Sequence, residues 1–158
     1  MIVIAAAYDE AYLKEVKQIL DANGLIPVPI IGDLHIHPDE AVVNDSIAEL
    51  ERAIEVAAII GAKHALYYHD VHGRLTSEKA VRILRNALVC LSRKAVACDV
   101  FLSAEEYCSL SGDQIYDASV GIPNVGLLND IGNWWILGED PVAATKKFID
   151  ITDHIHIK

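Results

Sequence analysis

A strand-like apolar run followed by a segment of helical period recurs along this chain, and that alternation restricts its fold more than any other feature. The runs cover residues 2–7, 25–31, 64–68, 100–104 and 125–130, and DHIHIK forms the last. Between them, helices are predicted over 10–22, from Asp45 or Ser46 to Gly61, over 78–97, over 114–120, and from Asp140-Pro141 to about Ile151. A β-α unit repeated five times and closed by a sixth strand implies a parallel sheet with right-handed crossovers. Two closures compete: an open doubly wound sheet, or an arc of a (β/α)8 barrel. A doubly wound nucleotide binder carries a glycine-rich first turn, whereas the first run here leads into AAYDEAY with no glycine. The barrel arc is the expectation, with about six parallel strands in a single domain over residues 1–158.

Local signals agree with that order. Asp9 caps the first helix and Asn23-Gly24 stops it. Ser46 and Glu49 have capping-box spacing, and Ile47, Leu50, Ile54, Ala57 and Ala58 fall on one face of the helix that follows. In the next helix Val81, Leu84, Leu88 and Leu91 point inward and Arg82, Arg85 and Lys94 outward. The segments GDLHIHPDEAVVN, with His35 and His37, and HDVHGRLTS, with His72 and Arg74, read as loops. A hydrophobic content of 53% suits parallel strands buried on both faces. No apolar run approaches the roughly 18 residues of a membrane span, and the N-terminus lacks a basic leader flank. The expectation is a cytoplasmic protein with no membrane partner. Its net charge of −10 argues against a nucleic-acid partner and is compatible with cation binding. Cys90, Cys98 and Cys108 are odd in number and show no CxxC spacing, so reduced, buried thiols are expected.

The chemistry-bearing residues gather at the strands' carboxyl ends, where α/β folds build their sites. Glu105, Asp130 and His156 each end a predicted strand and lie 25 and 26 residues apart, about one βα unit. Equal spacing by one repeat sets three side chains at one level on three neighbouring strands. Two carboxylates and an imidazole suit a divalent ion such as Mn, Mg, Co or Zn. Such an ion polarises a carbonyl and its neighbouring hydroxyl while a carboxylate moves the proton. The plainer alternative is that the acids cap the following helices and that His154 and His156 form a polar strand face. Spacing alone leaves both open.

The segment VGLLNDIGNWWILGEDPVAATKK…HIHIK resembles the signature of the xylose-isomerase-like TIM-barrel superfamily of sugar and sugar-phosphate isomerases and epimerases. Its elements are a strand ending in Asp, a Gly-Asn turn, a Gly-Glu-Asp-Pro helix start and a later HxHxK strand. SIAELERAIEVAAIIGAK is similar to the helix before the fourth barrel strand, VFLSAEE to the fifth strand, and LKEVKQILDANGLIPVPI to the second helix and third strand. The resemblance implies an incomplete TIM barrel running from strand 2 to strand 7. It also implies a divalent-metal-dependent isomerase or epimerase whose partner is a small-molecule carbohydrate. By position, Glu105, Asp130 and His156 become the metal ligands, with Glu105 also the proton-transfer base. His69, or Tyr68 if the register is one off, would sit at the fourth strand's mouth. Asn133 stands where many members carry a substrate-contacting histidine, and Trp134 would be an apolar wall. His154 and Lys158 of the HxHxK strand would also face substrate.

A complete barrel takes ~250 residues, and the first βα unit and the eighth strand, with its second glutamate, have no counterpart here. Open sheet edges are seldom left bare, so a homo-oligomer that covers them is expected. Two further readings stand beside the enzyme: a catalytically silent barrel fragment serving as a binding or self-assembly module, and the DNA-repair nuclease branch of the same superfamily. The acidic charge opposes the nuclease. The remaining candidates have plainer explanations. His35 and His37 read as solvated loop residues, His72 and Arg74 as an exposed polar loop with a phosphate as the alternative, and Cys108 lacks a histidine spaced to activate it.

Overall fold

The computed structural model of the chain describes residues 9–106 and 109–157. The strand expected over 2–7, Cys108 and Lys158 lie outside the described residues. Helix α1 (Glu10–Ala22) begins where Asp9 accepts the Tyr12 amide at 2.8 Å, and it stops at Asn23 and Gly24, the latter at φ +64°. Both end signals are the ones the sequence predicts. The alternation continues through β1 (Ile30–Ile36), α2 (Glu40–Ile59), β2 (His64–Val71), α3 (Ser77–Cys98), β3 (Phe101–Glu105), α4 (Gly112–Ser119) and β4 (Val125–Asp130). A short helix α5 (Ile131–Ile136), then α6 (Pro141–Phe148) and β5 (Thr152–His156), complete it.

The five strands form one parallel sheet in the order β1-β2-β3-β4-β5. Spatial order follows chain order without the reversal that defines a doubly wound sheet, so the strands form a barrel arc. Residues paired in register share a face of the sheet. Leu34, Ile36, Ala65, Tyr67, Leu102, Ala104, Val125 and Leu127 occupy the outer face and form one core with Leu50, Ile54, Leu84, Leu88 and Leu91 of α2 and α3. Leu84, Leu88 and Leu91 have no exposed surface, and each such burial contributes about 1.5–3 kcal/mol. The alternate residues, among them Leu66, Tyr68, Ser103, Glu105, Leu128, Asp130 and His156, occupy the inner face. No helix among the described residues is long and apolar enough to cross a membrane.

The boundaries depart from expectation in instructive places. The second apolar run pairs only from Ile30, because Pro27 and Pro29 have no amide hydrogen to donate, although the Pro29 carbonyl still accepts from Leu66 at 2.8 Å. The strand instead runs on to Ile36, which places His35 in the sheet rather than in a loop. Helix α2 starts at Glu40, capped by Asp39, whose side chain accepts from Ala41 at 3.0 Å. Ser46, expected at the cap, lies buried within the helix; its hydroxyl donates to the Val43 carbonyl and accepts from the His35 amide. Capping-box spacing there reflects a tertiary tie to β1. Cys90 is exposed and Cys98 half-buried, which corrects the expectation of buried thiols.

Candidate metal centre

Glu105, Asp130 and His156 are the last residues of β3, β4 and β5. Asp130 pairs with His156 in register, and Glu105 pairs with Leu128. The strands therefore bring them to one end of the inner face, where one ligand atom from each lies within 4.8 Å of the others. Glu105 and Asp130 are buried, and the His156 side chain is about a third exposed. Asp130 takes the capping role and also stands beside His156. Its Oδ1 caps α5, accepting the amides of Gly132 at 2.9 Å and Asn133 at 3.2 Å, while its Oδ2 lies 3.6 Å from His156 Nδ1.

The next layer holds those groups in place. Asn133 Nδ2 donates to Glu105 Oε1 at 2.9 Å. Glu106, which the sequence reading passed over, is 1% exposed, and its Oε1 accepts the Asp130 amide at 2.9 Å. Burial pushes its carboxyl up to about 8, with the charges of Asp130 and Glu105 adding to the rise; two backbone hydrogen bonds oppose it. The signal was the doublet Glu105-Glu106, since two adjacent acids at a buried strand end cannot both reach solvent. Below the centre, the Ser103 hydroxyl donates to Asp153 at 2.6 Å and His64 Nδ1 lies 2.9 Å from the same carboxylate. His154 stands between the two layers, its ring 5.3 Å from that of His156 and 6.0 Å from that of His64. Burial first, then His156, lowers its pKa, while Asp153 raises it.

Two candidates lie elsewhere. His69 pairs with Leu34 and so faces the outer side, 1% exposed, with neither ring nitrogen hydrogen-bonded among the described residues. Burial pushes its pKa down to about 4, partly offset by Asp70. Tyr68 occupies the inner face instead, the one-residue register alternative. Trp134 has no exposed surface and fills the core rather than walling the mouth. Its Nε1 donates to Asn129 Oδ1 at 2.7 Å, and its ring stacks on Phe148 at 5.6 Å between centroids. Gly112 makes room for that stack, because a Cβ there would come within 2.6 Å of the indole. Trp135 is 76% exposed. His35 and His72 meet each other, Nδ1 to Nε2 at 3.2 Å, at the ends of β1 and β2.

Two carboxylates and one imidazole, gathered at a buried strand end and oriented by further hydrogen bonds, fit a divalent cation of the hard-to-borderline kind. The sequence profile of the xylose isomerase-like TIM barrel family matches residues 2–158. No curated protein sequence matches the chain. Among solved structures, the chain is similar to a 3-keto-D-glucoside 4-epimerase from E. coli at 15% identity and a TM-score of 0.75, covering 94% of this chain and 64% of that one. It is also similar to a D-psicose 3-epimerase from Clostridium cellulolyticum H10, solved with D-tagatose, at 14% identity and a TM-score of 0.77, covering 94% and 58%. A zinc-bound IolI protein shares 18% identity at a TM-score of 0.70, covering 85% and 51%. At these identities the likeness is one of fold, and the chain spans between about half and two thirds of each neighbour's length.

Proposed function

The chain belongs to the xylose isomerase-like TIM barrel family, and from that premise we propose that it is a divalent-metal-dependent isomerase or epimerase of sugars or sugar phosphates. The observation that carries this reading is the convergence of Glu105, Asp130 and His156 at the carboxyl ends of three consecutive strands. These three residues would hold the ion, of the Mn, Mg, Co or Zn kind. When bound, it supplies electrophilic polarisation of a carbonyl and its adjacent hydroxyl.

The chain's own groups do the rest. Glu105 has Oε1 engaged by Asn133, so proton transfer falls to Oε2. That oxygen takes the hydrogen from the carbon beside the carbonyl, and the electron pair of the broken C–H bond moves onto the carbonyl oxygen. Return of the proton from the same oxygen to the former carbonyl carbon, with the proton of the adjacent hydroxyl passing to the former carbonyl oxygen, completes an aldose–ketose isomerisation. Epimerisation needs a second acid on the opposite face of the sugar. Substrate contacts fall to His154 and to Lys158, which the alternation of HIHIK assigns to the same face. His69 and Trp134 point the other way and take no part.

The test is hydrogen exchange. Ketoses incubated with Mn²⁺-loaded protein in D₂O should lose the proton signal at the carbon next to the carbonyl, and Glu105→Gln should abolish the loss. Equal exchange by wild type and Glu105→Gln would remove Glu105 from the reaction.

A further inference from the structure

Asn133 is 2% exposed, yet its polar groups are directed at the protein's own carboxylates. Its side-chain amide donates to Glu105 Oε1 at 2.9 Å, and its backbone amide donates to Asp130 Oδ1 at 3.2 Å. One residue therefore touches two of the three converging ligands, each through one oxygen.

The support under Asn133 is rigid. The next residue, Trp134, projects from α5 to the other side of the sheet, where it has no exposed surface, donates to Asn129 Oδ1 at 2.7 Å and stacks on Phe148. Asp130 fixes the start of the same helix by capping it. Turning α5 to withdraw the Asn133 amide would pull the indole out of its core site. The amide donor is therefore set in position before any ion arrives.

We infer that Asn133 is a positioning residue of the metal centre, which orients the Glu105 carboxylate through Oε1 so that Oε2 faces the ion and the substrate. The inference rests on Glu105, Asp130 and His156 being the ligands. It gives Asn133 a task on the protein side of the site, whereas the resemblance implies a substrate contact at that position. Removing a partner that orients a ligand typically costs 10–100-fold in metal affinity.

The experiment compares Mn²⁺ titrations of chelator-stripped wild type, Asn133→Leu, which keeps the branched outline and removes the donor, and Asn133→His, which restores an N–H. Co²⁺ absorption spectra of all three report the ligand geometry, and circular dichroism checks folding. Binding weakened 10–100-fold in Asn133→Leu with an altered Co²⁺ spectrum, and largely recovered in Asn133→His, is the expected result. If the leucine variant does not fold, Asn133→Ala carries the same readings. Wild-type affinity and spectrum in the donor-less variant would overturn the positioning role and leave the ligand assignment standing. No binding by wild type would overturn the ligand assignment and the positioning role together.

Discussion

Glu106→Gln should reshape the pH dependence of stability. The buried Glu106 carboxyl holds its proton up to about pH 8 in the folded chain, against an ordinary value of 4.5. Between those two pH values the folded state binds the extra proton, so stability is fully present below about pH 4.5 and is lost as pH rises through 8. At about 1.4 kcal/mol per pH unit, the loss is about 3 kcal/mol at pH 7 and approaches 5 kcal/mol by pH 8. His69 acts with the opposite sign. Its pKa is pushed down to about 4 from 6.5, so the folded state binds fewer protons between those values and stability rises with pH across them. The two slopes largely cancel from about pH 4.5 to 6.5 in the wild type, with a smaller rise from His154, whose pKa burial also lowers, added to that of His69, and only the Glu106 loss remains above that window. Glutamine keeps the oxygen that accepts the Asp130 amide and removes the titration. In thermal melts of chelator-treated protein, the wild-type midpoint should be flat from pH 4.5 to 6.5 and then fall. The variant's midpoint should climb through that window and stay level from pH 6.5 to 8, ending roughly 10 °C above wild type at pH 8. Parallel curves for the two proteins would refute the reasoning, because they would mean that Glu106 ionises alike in the folded and unfolded chain.

Two further predictions concern the outer face. His69→Leu removes two buried ring nitrogens that lack partners among the described residues; it should stabilise the chain by about 1–3 kcal/mol at pH 7 in urea melts and, by removing the rise that offsets Glu106, make stability fall with pH from 4.5 to 6.5, where the wild type is flat. Gly112→Ala places a methyl 2.6 Å from the Trp134 ring and 2.8 Å from that of Phe148, so it should cost about 1–3 kcal/mol and shift the near-ultraviolet signal of the indole.

The order of elements was legible in the sequence because apolar runs alternate with helical periods, and the glycine-free first turn pointed away from the doubly wound closure. The convergence of Glu105, Asp130 and His156 was legible through equal spacing, since a repeat of one βα unit returns the chain to the same end of the next strand. Features decided by contacts distant in sequence were not. Asp39, Asp45 and Ser46 all have cap chemistry, and only the tie from Ser46 to the His35 amide settles which one starts α2. A single residue of register separates His69 from Tyr68 and sends the histidine to the helix side. Nothing local distinguishes Trp134 from Trp135, since the choice follows from Asn129, Phe148 and the space at Gly112. Glu106 matters through the Asp130 amide on the adjacent strand, a partner 24 residues away.

The central claim is that Glu105, Asp130 and His156 make one metal-binding centre, and calorimetric titration of Mn²⁺ into chelator-stripped protein tests it most directly, with Asp130→Ala as the comparison. The account predicts binding at one site per chain in the wild type and its loss in the variant, with the variant still folded by circular dichroism. An unchanged stoichiometry in Asp130→Ala, or no binding by the wild type, would contradict it.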